Sequence, residues 1–351
     1  MAFFTTQNTK IAGIAAAVPK TQESNWDYEL LSETEKKLLV KTTGVETRRV
    51  AKKGQATSDF CLAAAEKLLA ELNWKKDEID VVIFLSQSRD YYLPATAVIL
   101  QDRLGLPKST MAFDVGLGCS GFPYGLSVIN SLLSNAGLEK GLLMMGDISS
   151  ATCAKEDKST YPLFGDAGTV IAVERDTNAN SMQFQLNSDG AGHEAIIIRD
   201  GGIRNLVSEE SFRKENIEKG ITRSRLNLTL NGLDVFNFSI TQVPKSLRAF
   251  LEKTDTNAED YDYFVMHQAN KLMNESIRKK LKFPVEKVPY SIKELGNTSS
   301  ASIPLTMVTQ MREKLQEENL QLLLSGFGVG LSWGVVALNT NKIICPELLE
   351  I

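Results

Sequence analysis

The stretch DEIDVVIFLSQS, residues 77–88, decides the fold, because EDYDYFVMHQAN, residues 259–270, repeats its pattern without a gap. The offset between them is 182 residues (from 77 to 259). Each stretch begins with acidic residues, continues with an apolar run typical of a buried strand and ends in polar residues. A second pair, GLLMMG (141–146) and QLLLSG (321–326), follows in the same order. The chain is therefore predicted to contain two similar halves.

Short apolar runs alternate with amphipathic helical patterns along both halves, which is typical of an α/β protein. The polar segment RDTNANS, residues 175–181, separates the halves, so we expect an N-terminal half over 1–178 and a C-terminal half over 179–351. In the first half the patterns predict strands over 80–85, 111–115, 141–146 and 168–174, and helices over 57–72, 96–105 and 125–137.

Composition excludes several classes of protein. The 351 residues carry a net charge of −4, which argues against nucleic-acid binding. No apolar run approaches the roughly 20 residues of a membrane span, and the first residues lack the order of a signal peptide. The four cysteines show neither CxxC nor Cys/His spacing, so we expect no metal site, no disulfide scaffold and a cytoplasmic location.

One cysteine has an unusual context. DVGLGCSGFPYGL, residues 114–126, places Cys119 among glycines, between a predicted strand and a predicted helix. A thiol at a helix N-terminus is favoured as thiolate, the nucleophilic form, and the glycines let an acyl group approach it. The alternative is a small cysteine in a packing contact. Cys61, Cys153 and Cys345 lack such a context, and structural roles are expected for them.

The repeat brings two further residues toward Cys119. The loop KELGNTSS (293–300) corresponds to DVGLGCSG (114–121), because each is predicted to follow a strand and to precede a helix, and this match sets Asn297 against Cys119. His267 ends an apolar strand, and ligands of parallel sheets gather at the carboxyl ends of strands. We therefore expect a common site between the halves. A structural histidine and an ordinary N-cap asparagine are the alternatives.

Four motifs together resemble the β-ketoacyl-acyl-carrier-protein synthase III family. They are GCSG at Cys119, HQAN at His267, GNTSSAS at Asn297 and GFGVGLSWG over 326–334. The resemblance covers nearly the whole chain and implies a thiolase-like fold, in which two duplicated α/β halves form αβαβα layers. It also implies the decarboxylating condensation that initiates type II fatty-acid synthesis.

The resemblance implies a role for each matching residue. Cys119 would carry the acyl group, while His267 and Asn297 would donate to the carbonyl oxygen of a malonyl thioester. The backbone N–H groups of Cys119 and Val329 would form the oxyanion hole, although the family usually has glycine at the latter position. The implied substrate-binding residues are Asn270, Leu93 and Phe236. Coenzyme A or phosphopantetheine thioesters would be substrates, with no cofactor and no metal, and the enzyme would be a homodimer.

An acidic acyl carrier protein is the implied partner. The helical pattern NKLMNESIRKKLK (270–282) gathers cations beside the active-site strand, and a docking face is one reading of it, a solvated helix face the other. The residues expected to dock the carrier are Arg278, Lys279, Lys280 and Lys282.

Some positions depart from the family pattern. Leu38 stands where a tryptophan commonly stacks on the adenine of coenzyme A, and Thr42 stands where an arginine is frequent. These changes favour a carrier-bound or unusual acyl donor, and the small Leu93 indicates a different or longer acyl chain. The charged segment 199–225 is expected to serve as a lid or partner contact. A specialised acyltransferase of the same fold in a secondary-metabolite or glycan-modification pathway remains an alternative, as does a non-catalytic partner subunit.

Overall fold

The structure is a computed structural model that describes residues 2–351. Its strands are β1 (Ala2–Thr6), β2 (Thr9–Val18), β3 (Gln22–Ser24), β4 (Thr47–Arg49), β5 (Val81–Leu85), β6 (Met111–Val115), β7 (Lys140–Asp147), β8 (Ala167–Arg175), β9 (Met182–Ser188), β10 (Ile196–Ile197), β11 (Glu215–Glu218), β12 (Ile221–Arg223), β13 (Thr229–Leu230), β14 (Tyr263–Met266), β15 (Gln321–Gly328), β16 (Ser332–Asn339) and β17 (Leu349–Glu350). Its helices are α1 (Glu33–Thr43), α2 (Thr57–Leu72), α3 (Thr96–Arg103), α4 (Gly121–Leu133), α5 (Gly232–Thr254), α6 (Lys271–Lys280), α7 (Ile292–Leu295), α8 (Ser302–Gln310) and α9 (Arg312–Glu317).

Two large sheets repeat one topology. The first has the order β17-β2-β8-β7-β5-β6, and the second has the order β1-β9-β16-β15-β14. The run β2-β8-β7-β5 of the first sheet matches the run β9-β16-β15-β14 of the second. Each run has one parallel pair, which is β5 with β7 in the first sheet and β14 with β15 in the second, and its other pairs are antiparallel. The predicted duplication of an α/β half is thus confirmed.

The repeat extends to the direction of single side chains. In β5, Ile83 packs into the core between the sheets, whereas Phe84 packs against the outer helices. In β14, Val265 likewise packs into the core between the sheets, and Met266 packs on the outer side of the second sheet. Both faces of each strand are buried, which explains their continuous apolar runs.

Helices fill three layers around the two sheets. The central helices α4 and α8 contact strands of both sheets. On the outer side of the first sheet lie α2 and α3, whereas α5 covers the second sheet and packs against α6. This arrangement is the αβαβα layering expected of a thiolase-like fold.

The halves differ around Asn297. The prediction of a strand before Asn297 is wrong, because the short helix α7 precedes this residue. Accordingly, β6 has no counterpart in the second sheet within residues 2–351. The central helices begin 181 residues apart, at Gly121 and Ser302. Cys119 therefore corresponds to Ser300 in the fold, three residues beyond the asparagine that the sequence repeat sets against it.

The first and last strands of the chain each join the sheet formed mainly by the other half. The first strand, β1, pairs with β9 at the edge of the second sheet, and the last strand, β17, pairs with β2 at the edge of the first. The loop 176–181 connects β8 of the first sheet to β9 of the second. The division of the chain at residue 178 stays a prediction.

Candidate active site

One cavity of about 980 Å³ receives residues from both halves. Cys119 comes from the first half, and His267 and Asn297 come from the second. The structure therefore brings together the three residues for which catalytic roles are predicted. Asn270, Phe236 and Val329 also line this cavity.

Tight packing of glycines fixes the position of Cys119. The residue follows β6 and precedes the first residue of α4 by two positions. A Cβ on Gly328 would lie 2.5 Å from Cys119 Cβ and 3.1 Å from its Sγ, and the φ of this glycine is +155°. A Cβ on Gly118 would lie 2.5 Å from Gln87 Oε1. A side chain at Gly328 would therefore displace Cys119 or the loop after β15, whereas one at Gly118 would first displace the side chain of Gln87.

Burial dominates the electrostatics of Cys119. It raises the pKa of the thiol to about 11, although the Ser299 hydroxyl, with Oγ 3.7 Å from Sγ, and the backbone N–H of Val329 both lower it. Burial thus opposes the thiolate that the helix N-terminus is expected to favour. The thiol is the resting form at neutral pH, because desolvation penalises the anion more than the nearby donors stabilise it.

His267 is fixed on every side at the end of β14. Its backbone N–H donates to the Ser325 carbonyl oxygen at 2.8 Å, and its own carbonyl oxygen accepts from Asn274 Nδ2 at 3.0 Å. The ring stands edge-on to Phe327, and Nδ1 lies 2.7 Å from Ser302 Oγ. Burial lowers the pKa of His267 to about 3, so the imidazole is neutral at physiological pH.

Asn297 presents its amide nitrogen to the cavity. Its backbone N–H donates to the Leu163 carbonyl oxygen at 2.9 Å, and its carbonyl oxygen accepts from the Gly165 N–H at 3.0 Å. The side-chain Oδ1 accepts from the Ser299 N–H at 2.9 Å. Because Oδ1 is held in this way, Nδ2 is the group left to donate to a ligand.

The loop after β15 carries Val329 next to the nucleophile. Its carbonyl oxygen accepts from Ser332 Oγ at 2.9 Å, and Ser332 Oγ lies 2.6 Å from Ser120 Oγ. Val329 is not among the residues with positive φ, so valine stands here without backbone strain. Its Cγ1 lies 2.9 Å from the place that a Cβ on Gly118 would take. Its backbone N–H hydrogen-bonds to the thiol of Cys119.

The predicted substrate-binding residues have different locations. Asn270 caps α6 by accepting the Met273 N–H at 2.8 Å, and Phe236 is half-buried in α5. Leu93 lies outside the cavity lining, with 81% of its surface exposed. At the mouth, Thr42 lines the cavity and Leu38 is 60% exposed.

The four cations of the predicted docking face are not equivalent. Arg278 is mostly buried, pairs with Glu275 at 2.8 Å and donates to the Phe283 carbonyl oxygen at 2.7 Å. Lys280 Nζ donates to the Ile240 carbonyl oxygen at 2.6 Å. The remaining two, Lys279 and Lys282, are exposed.

Sequence reasoning missed a buried carboxylate that links the halves. Asp147, at the end of β7, accepts from the Gln87 N–H at 2.8 Å, from Ser86 Oγ at 3.0 Å and from Ser300 Oγ at 3.1 Å. Burial raises the pKa of this carboxyl. An acidic residue closing the apolar run GLLMMGD, together with the hydroxyl run TSSAS after Asn297, is the signal that could have found this link.

Two classes of feature were not found in residues 2–351. No group of three or more His, Cys, Asp or Glu side chains is arranged to hold a metal ion. Among the helices of the same residues, none has the length and apolar character needed to cross a bilayer.

Two family models match the chain. The one described as 3-oxoacyl-[acyl-carrier-protein (ACP)] synthase III matches residues 113–190, which include Cys119. The one described as 3-oxoacyl-[acyl-carrier-protein (ACP)] synthase III C terminal matches residues 251–340, which include His267 and Asn297.

Individual proteins are similar over nearly the full length. Beta-ketoacyl-[acyl-carrier-protein] synthase III of Clostridioides difficile (strain 630) is 32% identical over 93% of this chain and 97% of its own. Beta-ketoacyl-[acyl-carrier-protein] synthase III 2 of Halalkalibacterium halodurans is 33% identical over 92% and 94%. The crystal structure of 3-oxoacyl-(acyl-carrier protein) synthase from Burkholderia xenovorans LB400 superposes with a TM-score of 0.94 at 38% identity, covering 100% of this chain and 99% of that one.

Proposed function

Because the chain belongs to the 3-oxoacyl-[acyl-carrier-protein] synthase III family, we propose that it condenses an acyl thioester with malonyl-acyl carrier protein, in fatty-acid or related acyl-chain biosynthesis. One observation carries the proposal. A cysteine of one half shares a cavity with a histidine and an asparagine of the other, and all three side chains are held by hydrogen bonds or close packing. The complete set argues against a non-catalytic partner subunit.

In the first step the acyl group moves to Cys119. The thiolate attacks the thioester carbonyl carbon, a sulfur–carbon bond forms, and the oxyanion accepts the N–H groups of Cys119 and Val329. Collapse of this intermediate breaks the bond to the leaving sulfur. That sulfur takes up the proton which Cys119 gave up, so the step is balanced.

In the second step malonyl loses carbon dioxide. The carbon–carbon bond to the carboxylate breaks, and its electron pair forms an enolate whose oxygen accepts from His267 Nε2–H and Asn297 Nδ2–H. Each good donor in such a dry site stabilises the anion by about 3 kcal/mol. The enolate carbon attacks the acyl carbonyl, the bond to Cys119 sulfur breaks, and the sulfur takes a proton from solvent. The breaking bond supplies the electrons, so we infer that no cofactor is required.

The cavity favours a carrier-bound acyl donor over acyl-coenzyme A. Among the described residues that line it, Lys158 is the one cation, and it pairs with Glu35 at 3.3 Å. The three phosphate groups of coenzyme A call for cations that this lining does not provide, whereas a phosphopantetheine arm carries only one phosphate. Asn270 is placed to contact either arm through Nδ2, because its Oδ1 caps α6.

Homodimerisation and a cytoplasmic location complete the proposal. Strand β6 is the outer strand of the first sheet, and exposed apolar side chains lie near it, among them Met111 and Val98. An uncovered apolar sheet edge favours pairing with a second copy. The four cysteines are unpaired and buried, which fits a reducing compartment.

Intact mass measurement tests the acyl-enzyme. The protein is incubated with acyl-coenzyme A and with acyl-carrier thioesters, and we expect an adduct that Cys119→Ala abolishes. The matched control is Cys153→Ala, since Cys153 is also buried and burial also raises its pKa. An adduct that survives Cys119→Ala, or no adduct from any donor, would overturn the nucleophile assignment.

Carbon dioxide release tests the second step. His267→Ala and Asn297→Ala are expected to lose decarboxylation of malonyl-acyl carrier protein while Cys119 still accepts acyl groups. Unchanged release in both variants would contradict the role of the two donors.

A further inference from the structure

The proton position on His267 decides whether this residue can donate. The imidazole is neutral, as the lowered pKa requires, so only one ring nitrogen carries hydrogen. The enolate needs that hydrogen on Nε2. Nδ1 must then accept a hydrogen bond from a neighbour, and the side-chain donor within reach is the Ser302 hydroxyl, whose Oγ lies 2.7 Å from Nδ1. The Ser299 backbone also hydrogen-bonds to the ring and raises the pKa of His267, but less than burial lowers it.

Ser302 has one hydroxyl proton and two possible acceptors. The first is Nδ1 of His267, and the second is the Ser299 carbonyl oxygen at 2.8 Å. That carbonyl oxygen already accepts the backbone N–H of Ser302. A proton directed to Nδ1 therefore leaves the Ser299 oxygen satisfied and gives the ring nitrogen a donor.

The position of Ser302 is rigid and dry. It is the first residue of α8 and is 1% exposed. Its carbonyl oxygen accepts from Thr306 Oγ1 at 2.7 Å, and Thr306 Oγ1 lies 2.7 Å from Ser291 Oγ. Since bulk water cannot reach this site, the serine hydroxyl is the group available to fix the tautomer.

We propose that Ser302 is a positioning residue, whose hydroxyl donates to His267 Nδ1 and thereby keeps the hydrogen on Nε2, directed at the substrate carbonyl oxygen. The proposal rests on the function proposed above, because the tautomer matters only where His267 acts as a donor. It adds a residue that touches no substrate. Its effect is confined to the decarboxylation step.

Nitrogen NMR of ¹⁵N-histidine-labelled protein tests the proposal directly. The chain has two histidines, and His193→Gln assigns the signals, since His193 is exposed and lies outside the cavity lining. We expect the hydrogen of His267 on Nε2 in the wild type. In Ser302→Ala we expect loss of that preference. A wild-type ring with its hydrogen on Nδ1, or an unchanged tautomer in Ser302→Ala, would overturn the proposal.

Kinetics give a second and independent readout. Ser302→Ala should lower kcat for decarboxylation by at least about tenfold, the cost of one hydrogen bond, with KM for malonyl-acyl carrier protein and acylation of Cys119 nearly unchanged. Ser302→Thr should restore kcat. The matched control is Thr309→Val, which removes a hydroxyl from the same helix, where it bonds to Leu305 O. Equal losses of acylation and decarboxylation in Ser302→Ala would indicate a structural role and contradict the proposal.

The NMR result does not depend on turnover. If no Cys119 adduct forms with any donor, the proposed function fails while the tautomer of His267 can still be read. If acylation and decarboxylation proceed normally in the wild type, with the hydrogen of His267 on Nε2, and Ser302→Ala leaves it there, only the assignment of Ser302 fails.

Discussion

Cys119 combines a buried thiol with nearby hydrogen-bond donors. The Ser299 hydroxyl and the Val329 N–H lower its pKa less than burial raises it. In the mechanism proposed above, these donors act mainly when negative charge develops on the substrate oxygen or on sulfur during the reaction. Donors that act in the transition state raise the rate without stabilising a resting anion.

The pH dependence of alkylation tests this balance. Thiolate is the reactive form, and with a pKa of about 11 its fraction rises about tenfold for each pH unit below that value. The rate of Cys119 modification by iodoacetamide should thus rise steadily from pH 7 to pH 9.5. Mass spectrometry of the modified peptide measures it. A plateau below pH 8 would show that the helix end outweighs burial.

Gly328 is the position where a single methyl group should disable the site. In Gly328→Ala the new Cβ would lie 2.5 Å from Cys119 Cβ. We expect destabilisation of about 1–3 kcal/mol, as for overpacked cores, and loss of acylation, because the nucleophile or the Val329 loop must move. Urea unfolding and the mass assay measure the two effects.

Gly54 provides the matched control for this substitution. Its φ is +93°, and a Cβ there meets nothing within 4 Å. Gly54→Ala should therefore show the cost of backbone strain, about 1 kcal/mol, with acylation intact. Equal acylation by both alanine variants would contradict the packing argument.

At the scale of elements, the apolar runs predicted the strands well and the loops less well. The runs in β5 and β14 are buried on both faces, so each strand is a continuous apolar run that can be recognised from its own residues. The site depends on where the chain turns. Asn297 follows a short helix, and its match to Cys119 is displaced by three residues, because α7 replaces the strand that β6 supplies in the first half.

Side-chain partners were harder still to predict. Cys119, His267 and Asn297 were identified by their motifs, and the cavity contains all three. Ser302 and Asp147 were not identified, because a serine or an aspartate near a turn has many possible roles until the fold supplies its neighbours. The raised pKa of Cys119 could not be predicted for the same reason, since burial is a property of the whole fold.

Helix α6 offers a test of carrier docking. Lys279 and Lys282 are exposed, whereas Arg278 is engaged with Glu275. Lys279→Glu with Lys282→Glu should raise KM for malonyl-acyl carrier protein about tenfold, since like charges then face the acidic carrier. Turnover of malonyl-pantetheine, which lacks the protein, should not change.

Two further variants sharpen this test. Lys52→Glu with Lys53→Glu, at two exposed lysines in the loop before α2, makes the same change in charge elsewhere on the surface and should leave KM unaltered. Arg278→Ala should lower the free energy of unfolding, because it removes the partner of Glu275. A KM unaffected by the double lysine variant would place the carrier on another surface.

For the whole molecule, the site depends on how the halves meet. Ser300 of the second half donates to Asp147 of the first, and the Asn297 N–H of the second half donates to Leu163 O of the first. These bonds hold together the two halves that contribute Cys119, His267 and Asn297 to one cavity. The two similar halves thus contribute different chemical groups to one shared cavity.

Self-association is the prediction at this scale. Val98 and Met111 are 46% and 43% exposed beside the free edge of β6. Val98→Glu with Met111→Glu should convert a dimer to a monomer, because charges at an apolar interface are costly to bury. Sedimentation equilibrium measures the mass. Ile217→Glu, at an exposed apolar position in β11, is the control, and a dimer that survives the double variant would exclude this edge as the interface.

The exchanged chain ends have a consequence for biosynthesis. Residues 2–6 precede the first sheet in the chain, yet their partner strand β9 is made only after the whole first sheet except its last strand. The outer edge of β2 stays open until residues 349–350 are made. Neither half can close its sheet from its own continuous segment, so the strand pairing of both sheets is complete only after β17 has been synthesised.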